Sequence, residues 1–359
     1  MDLRPHLTTP GQLERGLALI RSGALCYQPF ILAEDVEVGE GQNLETFYAG
    51  CGSPLDHNIL VSPARDPWFA RHRLMAADPI FFRDCNRRYR LCYERIADAL
   101  VERLGGDISG LSFLEIGCNS GLNLFNLARR GAGSCLGIDW GHYRAAFAWL
   151  NEALGTRVRF RRGDYDNLRH RVPDRRIDDA DVIVNTVFLN HQCDPLQFLC
   201  FIADRARRAL FLWVLLDERG DEMTLTFGNV GGLHDIGGHR PFPLSFQNDI
   251  KISRALLIET LRRLGFGKIE EIAQPTEDPA LAPPASLLPF TMIFARPHRR
   301  PAERLPHAVV HPAEAAGRHA AGSASTAPRG SNRAAAYRQP YIVHFPARHK
   351  CTSLRLTLL

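Results

Sequence analysis

Long hydrophobic runs are missing from this 359-residue chain. The longest apolar run covers residues 209–216, which can form a buried strand but fall far short of the roughly 20 residues that a membrane-spanning helix needs. Residues 1–6 also lack the apolar segment of a secretory signal. We therefore expect no membrane partner and a cytoplasmic location.

Paired cysteine spacing is missing too. The nine cysteines are an odd number and include no Cys-x-x-Cys pair, so neither a disulfide framework nor a zinc site is indicated. Three residues are conceivable metal ligands: His234, Asp235 and His239. They lie in a glycine-dense stretch, residues 227–240, and side chains in such flexible loops usually bind no metal. The sequence predicts no metal, and this stretch is interpreted as a mobile substrate lid.

The positive charge of the chain is concentrated at one end. Residues 298–359 hold ten Lys or Arg and two acids, so of the net charge of +5 they carry +8 and residues 1–297 carry 5 − 8 = −3. The basic composition therefore gives no support for nucleic-acid binding by the folded part. The same end segment is rich in Ala, Pro, Ser and Gly and is expected to be disordered.

Apolar runs alternate with helical periodicity through the middle of the chain. Strands are predicted at residues 113–116, 135–138, 158–160, 182–188 and 209–216, and the helices between them at 122–130, 143–154 and 195–206. A last unit follows, with a helix at 253–264 and strands near 269–272 and 290–295. This order predicts an α/β fold: a Rossmann-like, doubly wound, mostly parallel sheet covered by helices on both faces.

The predicted organisation has four parts. Residues 1–65 have no assigned architecture, residues 66–110 form an N-terminal helical cap, residues 111–297 form the α/β domain, and residues 298–359 form the tail. The aromatic side chains of the cap either close a ligand pocket or pack on the sheet, and packing is favoured for most of them: Trp68, Phe81, Phe82 and Tyr89.

The residues that carry the chemistry follow the first strand of the domain. That strand ends in Glu115, and a turn containing Gly117 and Gly121 opens a helix. Glycines let a backbone approach a ligand closely, and free N–H groups at a helix start suit an anion or carboxylate. Because the spacing Glu-x-Gly-x-x-x-Gly differs from the Gly-x-Gly-x-x-Gly of dinucleotide loops, a nicotinamide oxidoreductase is disfavoured.

This spacing resembles the first motif of S-adenosylmethionine (SAM) methyltransferases. The resemblance implies that the chain is an enzyme with SAM as its cofactor, and that the loop binds SAM through Glu115, Gly117, Cys118, Asn119 and Gly121. The family often has glycine where this chain has Asn119.

Two further acids end the next two strands. Asp139 ends the second strand, where an acid can accept both ribose hydroxyls. The resemblance implies that Asp164, after the third strand, binds the adenine amino group, and Trp140 and Tyr165 are candidates to flank the adenine ring. Any one acid alone is explained as a surface residue, but the ordered set favours a SAM site.

Roughly residues 110–297 resemble the methyltransferases related to the tRNA wobble-uridine (5-methoxyuridine and 5-oxyacetyluridine) enzymes. The similar stretches include residues 116–121, 127–132 and 136–139. That family has a Val-Leu-Tyr-His-like turn after its fourth strand, which His191 fits and Asn190 does not. In the carboxymethyl-transferring branch the missing tyrosine helps to hold the extra carboxylate, so Asn190 argues against that activity.

The same turn supplies the catalytic candidates, Asn190 and His191. The carboxyl end of the fourth strand lies at the sheet edge where this fold class binds ligands. His191 is the candidate general base for a hydroxyl acceptor because histidine ordinarily titrates near neutrality, and a structural histidine that caps the turn is an equal alternative. Asp194 precedes Pro195 and is expected to be a helix N-cap.

The methyl acceptor is predicted to be a small molecule, such as a sugar or secondary metabolite, methylated on oxygen. A tRNA wobble uridine is the alternative, and a SAM-binding regulatory module without catalysis is a third possibility. RNA binding needs clustered positive charge, which the −3 of residues 1–297 does not provide. A local basic face stays open, formed by Arg87, Arg88, Arg90 and the pairs at 161–162 and 207–208.

Overall fold

The computed structural model describes residues 1–25, 28–34, 36–39, 79–139, 141–163, 177–192, 194–217, 222–227, 250–272 and 290–298. The strands are β1 (Phe30–Ala33), β2 (Val36–Val38), β3 (Ser112–Ile116), β4 (Ser134–Asp139), β5 (Arg159–Arg162), β6 (Ala180–Thr186), β7 (Ala206–Asp217), β8 (Leu225–Phe227), β9 (Ile250–Ser253), β10 (Phe266–Ile272) and β11 (Phe290–Pro297). The helices are α1 (Pro10–Arg21), α2 (Pro79–Arg103), α3 (Leu122–Arg129), α4 (Arg144–Leu154), α5 (Pro195–Arg205) and α6 (Arg254–Arg263).

The central sheet has the strand order β10–β11–β7–β6–β3–β4–β5. Strands β3 to β7 run parallel, and β11 is antiparallel to both of its neighbours. The chain moves outward through β4 and β5 on one side of β3 and through β6 and β7 on the other, so the strand order reverses between β3 and β6. Ligands of such sheets bind outside the carboxyl ends of the strands at that reversal. The predicted α/β fold with a mostly parallel sheet is confirmed.

Helices cover both faces of this sheet, and alternating strand residues divide the core between them. Phe113 and Phe211 belong to one apolar cluster, with side chains of α1 to α4, whereas their neighbours Leu114 and Leu212 belong to the other, with α5 and α6. Because neighbouring side chains of a strand point to opposite faces, near-continuous apolar strands such as β7 follow from burial on both sides.

The N-terminal segment joins the first of these clusters. Helix α1 starts at a capping box in which Thr9 and Gln12 bond each other's backbone, with Pro10 in the first turn. The Trp149 indole of α4 donates to the Gln12 carbonyl at 3.0 Å. A Cβ at Gly16 would lie 2.6 Å from the Trp149 ring, so α1 packs directly on α4. Residues 1–25, 28–34 and 36–39 therefore have a definite architecture, which the sequence analysis left unassigned.

Helix α2 packs on the sheet through its apolar face. Ile96 and Leu100 are fully buried, and the ring of Tyr93 meets that of Trp213 edge to face at 6.0 Å. Tyr89 packs against the same cluster, so packing explains this member of the predicted aromatic cap. Trp68 and the side chains of Phe81 and Phe82 lie outside the described residues.

Two predictions concern segments that lie mostly outside the described residues: the glycine-dense stretch with His234, Asp235 and His239, and the tail from residue 299 onward. Within the described ranges, every helix is too short or too polar to span a membrane. The described residues also contain no group of three or more His, Cys, Asp or Glu side chains placed to hold a metal. The cytoplasmic location stays a prediction.

Candidate active site

The loop between β3 and α3 has an unusual backbone. Gly117, Asn119 and Gly121 have φ angles of +78°, +52° and +82°, so left-handed residues alternate along it. Such angles cost little for glycine, more for asparagine, and most for other residues. The N–H of Gly117 donates to the carbonyl of Ile138 at 2.8 Å, which fixes the loop to the end of β4.

Aromatic rings pack against both loop glycines. A Cβ at Gly117 would lie 2.3 Å from the Phe188 ring, and one at Gly121 would lie 2.5 Å from the Phe147 ring. The sequence analysis assigned these glycines to close approach of a ligand. The structure shows that side chains of this chain also approach closely, so the glycines are required by backbone angle and by internal packing.

Asp139 lies beside this loop, at the end of β4, and is 8% exposed. Its Oδ2 accepts the backbone N–H of Asn119 at 2.8 Å, and its Oδ1 accepts that of Gly141 at 2.9 Å. These two bonds hold the carboxylate of Asp139 against the loop, and its predicted contact with the ribose hydroxyls stays a prediction.

Glu115 is fully buried behind the loop. Its Oε1 accepts from Asn123 Nδ2 at 2.7 Å and from Thr186 Oγ1 at 2.9 Å. Its Oε2 is buried and has no hydrogen-bond partner among the described residues. Burial raises the pKa of Glu115 to about 8, and the negative charge of Asp139 acts in the same direction. The site thus contains a buried carboxyl group that holds its proton below about pH 8 and that a bound cation would favour in its ionised form.

The turn after β6 forms the other side of this region. The strand was predicted to reach residue 188, but it ends at Thr186 because Val187 adopts φ +64° and starts the 3-10 turn Phe188–His191. A left-handed β-branched residue is strained and persists only where its surroundings fix it. Here the Val187 N–H donates to the carbonyl of Trp213 at 2.7 Å, and Asn185 Oδ1 accepts the N–H of Leu189 at 3.2 Å.

Asn190 is built into the sheet. Its Nδ2 donates to the carbonyl of Leu215 at 3.0 Å, and its Oδ1 accepts the N–H of Leu215 at 3.0 Å. The side chain is 2% exposed. Its amide pairs with the backbone of β7 as a residue of a neighbouring strand would, and so extends the hydrogen bonding between β6 and β7. Both polar atoms of the side chain are therefore engaged by the backbone of β7.

His191 ends the turn and is half-buried. Its assignment as a general base stays a prediction. Asp194 accepts the N–H of Gln197 at 2.9 Å, which confirms its predicted role as the N-cap of α5. Cys118 is also buried, with its thiol against Gly137, so it contributes backbone rather than an exposed side chain to the loop.

The sequence analysis missed Gln28. This residue precedes β1 and is 3% exposed. Its Nε2 donates to the carbonyl of Cys118 at 3.3 Å, and its Oε1 accepts the N–H of Leu122 at 2.9 Å. One N–H that was expected to be open to a ligand at the start of α3 is therefore bonded within the chain. No sequence pattern signals a contact between residues so far apart.

The adenine end of the predicted site is only partly described. Trp140, Asp164 and Tyr165 lie outside the described residues, so their predicted roles stay predictions. The described chain after β5 stops at Gly163, whose N–H donates to the carbonyl of Asp139 at 2.8 Å.

Residues 114–208 match the family model of the methyltransferase domain. Comparison with curated proteins gave no match. Among solved structures, magnesium protoporphyrin IX methyltransferase from Synechocystis PCC 6803 with bound SAH is 18% identical, with 67% of this chain and 100% of that chain covered and a TM-score of 0.41. The N-terminal domain of EvdMO1 with SAH bound is 19% identical, covering 81% of this chain and 98% of that chain, at a TM-score of 0.44. A SAM-dependent methyltransferase from Mesorhizobium loti is 17% identical, with 55% and 96% covered and a TM-score of 0.35.

Residues 114–208 are thus similar to methyltransferase domains. The match covers β3 to the start of β7, the part of the sheet that carries the loop, Asp139 and the β6 turn. It confirms the predicted enzyme class, a SAM-dependent methyltransferase, and the predicted cofactor. The finer resemblance to the tRNA wobble-uridine enzymes is not confirmed. The structural likenesses, all below a TM-score of 0.5, carry no argument about the acceptor.

The described residues fit this cofactor. SAM carries a cationic amino group and two ribose hydroxyls. Glu115 Oε2 has no partner in the described part of the chain, and the carboxyl group would pair with the amino group when ionised. The Asp139 carboxylate lies beside the left-handed loop. The donor and acceptor types on the two sides therefore match.

Proposed function

We propose that this chain transfers a methyl group from SAM to a hydroxyl oxygen of a small molecule, with His191 as the general base. The observation that carries the proposal is the contact between the loop and the β6 turn. The Phe188 ring of the turn lies against Gly117 of the loop. His191 ends this same turn, so a base and the proposed cofactor loop share one edge of the sheet.

In this proposal the chain aligns two reactants and moves one proton. Bound SAM supplies a methyl group on an electrophilic sulfonium carbon. Asp139 would accept the ribose hydroxyls, and Glu115 would lose its proton to solvent and pair as a carboxylate with the amino group. His191 takes the proton of the acceptor hydroxyl as its oxygen becomes nucleophilic. Alignment within the site removes the entropy cost of bringing two reactants together.

For Asn190 we propose a structural role in place of the predicted catalytic one. Its amide is engaged by Leu215 on both polar atoms and is nearly inaccessible to solvent. It supports the strained turn at Val187 and so positions His191. Removing it is expected to loosen the turn as a whole.

A second candidate acceptor carries phosphate groups, as tRNA does, and one observation favours it. Arg83, Arg87 and Arg90 recur at helical spacing on α2, and with Arg4 they line a cavity of about 410 Å³. The other described lining residues are Ile31 and Glu37, and the Arg4 side chain pairs with Asp2 at 2.6 Å. Arginines converging on one concavity suit a phosphate or carboxylate.

This cavity lies beside the N-terminal half of α2, on the side of the sheet that carries the β3–α3 loop. Arg130, just beyond the far end of α3, donates to the Asp98 carboxylate at 2.7 Å and to the Glu94 carbonyl at 3.3 Å. Residues 94–98 of α2 therefore lie at the end of α3 away from the loop. The arginines precede them on α2 and lie nearer the opposite end.

Methyl transfer from labelled SAM into two pools tests the proposal. One pool is a small-metabolite extract and the other is total tRNA. We expect label in the metabolite pool, lost in His191→Ala and retained in His6→Ala, which removes a histidine outside the site. SAM affinity of His191→Ala should stay within about threefold of the wild type.

Ribonuclease-sensitive label in the tRNA pool would replace the small-molecule acceptor by tRNA. In that case Arg83→Ala with Arg87→Ala should reduce the label, whereas Arg262→Ala with Arg263→Ala, an equal charge change on α6, should not. Label that persists in His191→Ala would remove His191 as the base.

A further inference from the structure

Gln28 connects the N-terminal segment to the proposed cofactor loop. Its side chain spans from the carbonyl of Cys118, within the loop, to the N–H of Leu122, the first residue of α3. We propose that Gln28 is a positioning residue that holds this loop in the conformation that binds SAM. The inference rests on the proposed cofactor site and adds a residue that lies 94 positions away from Leu122 in sequence.

Gln28 supports the loop at the start of α3, where the helix has no capping side chain of its own. Three of its five residues, 117 to 121, have left-handed backbone angles. The N-cap of α3 is Gly121, which has no side chain to bond the exposed N–H groups of the first turn. Gln28 provides that cap from outside, and its donor group satisfies a loop carbonyl at the same time. Both contacts are buried, so losing them leaves polar groups unsatisfied.

The scaffold behind Gln28 is fixed. Phe30 is fully buried in the first cluster. The N–H of Leu3 donates to the carbonyl of Ile31 at 2.8 Å, and the N–H of Ile31 donates to the carbonyl of Met1 at 2.9 Å. A side chain held by buried strand neighbours positions its partner better than one on an exposed loop. Residues 1–39 would thereby contribute to cofactor binding although the match to the methyltransferase model begins at residue 114.

The contact of Gln28 with Leu122 also allows a second interpretation, which predicts the opposite effect on SAM binding when Gln28 is replaced. Gln28 Oε1 occupies one helix N-terminal N–H, a group that could otherwise bind the carboxylate of SAM. If Gln28 competed with the cofactor in this way, removing it would tighten SAM binding. If it holds the loop, removing it weakens SAM binding.

The test compares two substitutions in the full-length chain. Gln28→Met keeps the length of the side chain and removes both hydrogen bonds. Asn86→Leu is the matched control, because Asn86 is 1% exposed and its Nδ2 donates to the carbonyl of Val38 at 3.3 Å, which ties the N-terminal segment to α2 without touching the loop. SAM affinity is measured by calorimetry, and amide hydrogen exchange of Leu122 is followed without ligand.

We expect Gln28→Met to weaken SAM binding about tenfold or more and to speed exchange at Leu122, while Asn86→Leu binds SAM within about threefold of the wild type. Similar melting temperatures for the two variants would show that general destabilisation is not the cause. A folded Gln28→Met variant that binds SAM as tightly as the wild type, or more tightly, would overturn the role of Gln28 and leave the cofactor assignment intact. A wild-type chain that binds no SAM would instead contradict the cofactor assignment.

Discussion

Asp139 Oδ2 accepts the backbone N–H of Asn119 at 2.8 Å. This bond joins the acid that ends β4 to the left-handed residue in the middle of the β3–α3 loop. Asp139 therefore holds the loop, and we propose that it also accepts the ribose hydroxyls of SAM.

Replacing this acid tests both roles. Asp139→Ala removes an acceptor from a buried N–H and from the ribose hydroxyls, and SAM binding should weaken by about 1–3 kcal/mol. Calorimetric titration measures the change. Asp107→Ala is the control, because Asp107 is an exposed acid that bonds Ser109 before β3. Unchanged SAM affinity in Asp139→Ala would remove this residue from the site.

Gly117 and Gly131 form a natural comparison. Both have positive φ angles, but a Cβ at Gly131 would meet nothing within 4 Å, whereas one at Gly117 would collide with the Phe188 ring. Gly131→Ala should cost roughly 1–2 kcal/mol of stability for the backbone angle alone. Gly117→Ala should cost clearly more and should also lose SAM binding. Denaturant unfolding of the two variants gives the difference, and equal costs would mean that the ring contact is unimportant.

Glu115 makes stability depend on pH. Burial raises its pKa from about 4.5 to about 8, so between these values the native chain holds a proton that the unfolded chain has lost. Stability from this group is therefore complete below about pH 4.5 and falls as the pH rises toward 8. Glu115→Gln imitates the protonated form and should remove this loss.

Urea unfolding at pH 5, 6, 7 and 8 measures the effect. The stability of Glu115→Gln relative to the wild type should rise steadily over this series. Glu152→Gln, at an exposed acid paired with Arg15, should show a constant difference. A constant difference for Glu115→Gln as well would mean that Glu115 is ionised in the native chain.

Apolar periodicity was sufficient to predict the sheet and most of its helices. The strand predicted at residues 135–138 is β4 (Ser134–Asp139), and the helix predicted at 122–130 is α3 (Leu122–Arg129). Burial on both faces of the sheet produces these apolar patterns, so the strands and helices can be predicted from short stretches of sequence. The helix-start pattern of α1, Thr9-Pro10 followed by Gln12, was present in the sequence but was not used.

Long-range contacts and unusual backbone angles were not predictable in this way. Nothing local to Val187 indicates a positive φ, because the angle is imposed by the bonds around the β6 turn. The bonds of the Asn190 amide to the backbone were not predictable, because their partner, Leu215, lies on another strand. The contact of Gln28 with the loop was not predictable because its partners are about 90 residues away in sequence.

His298, the first residue of the predicted tail, contacts the folded part of the chain. Its N–H donates to the carbonyl of Gly265 at 2.8 Å, and its ring lies against Gly267. Deleting residues 299–359 should leave the melting temperature and SAM affinity unchanged, because their composition supports no core. Deleting 298–359 should lower the melting temperature slightly. A large fall for the shorter deletion would show that the tail contributes to the fold.

The central claim is that the loop following β3 binds SAM rather than a nicotinamide dinucleotide. Calorimetric titration of the full chain with SAM, NAD and NADP in parallel tests it most directly. The account predicts saturable binding of SAM, weakened in Asp139→Ala, and no binding of either dinucleotide. Binding of a nicotinamide cofactor without binding of SAM would contradict it.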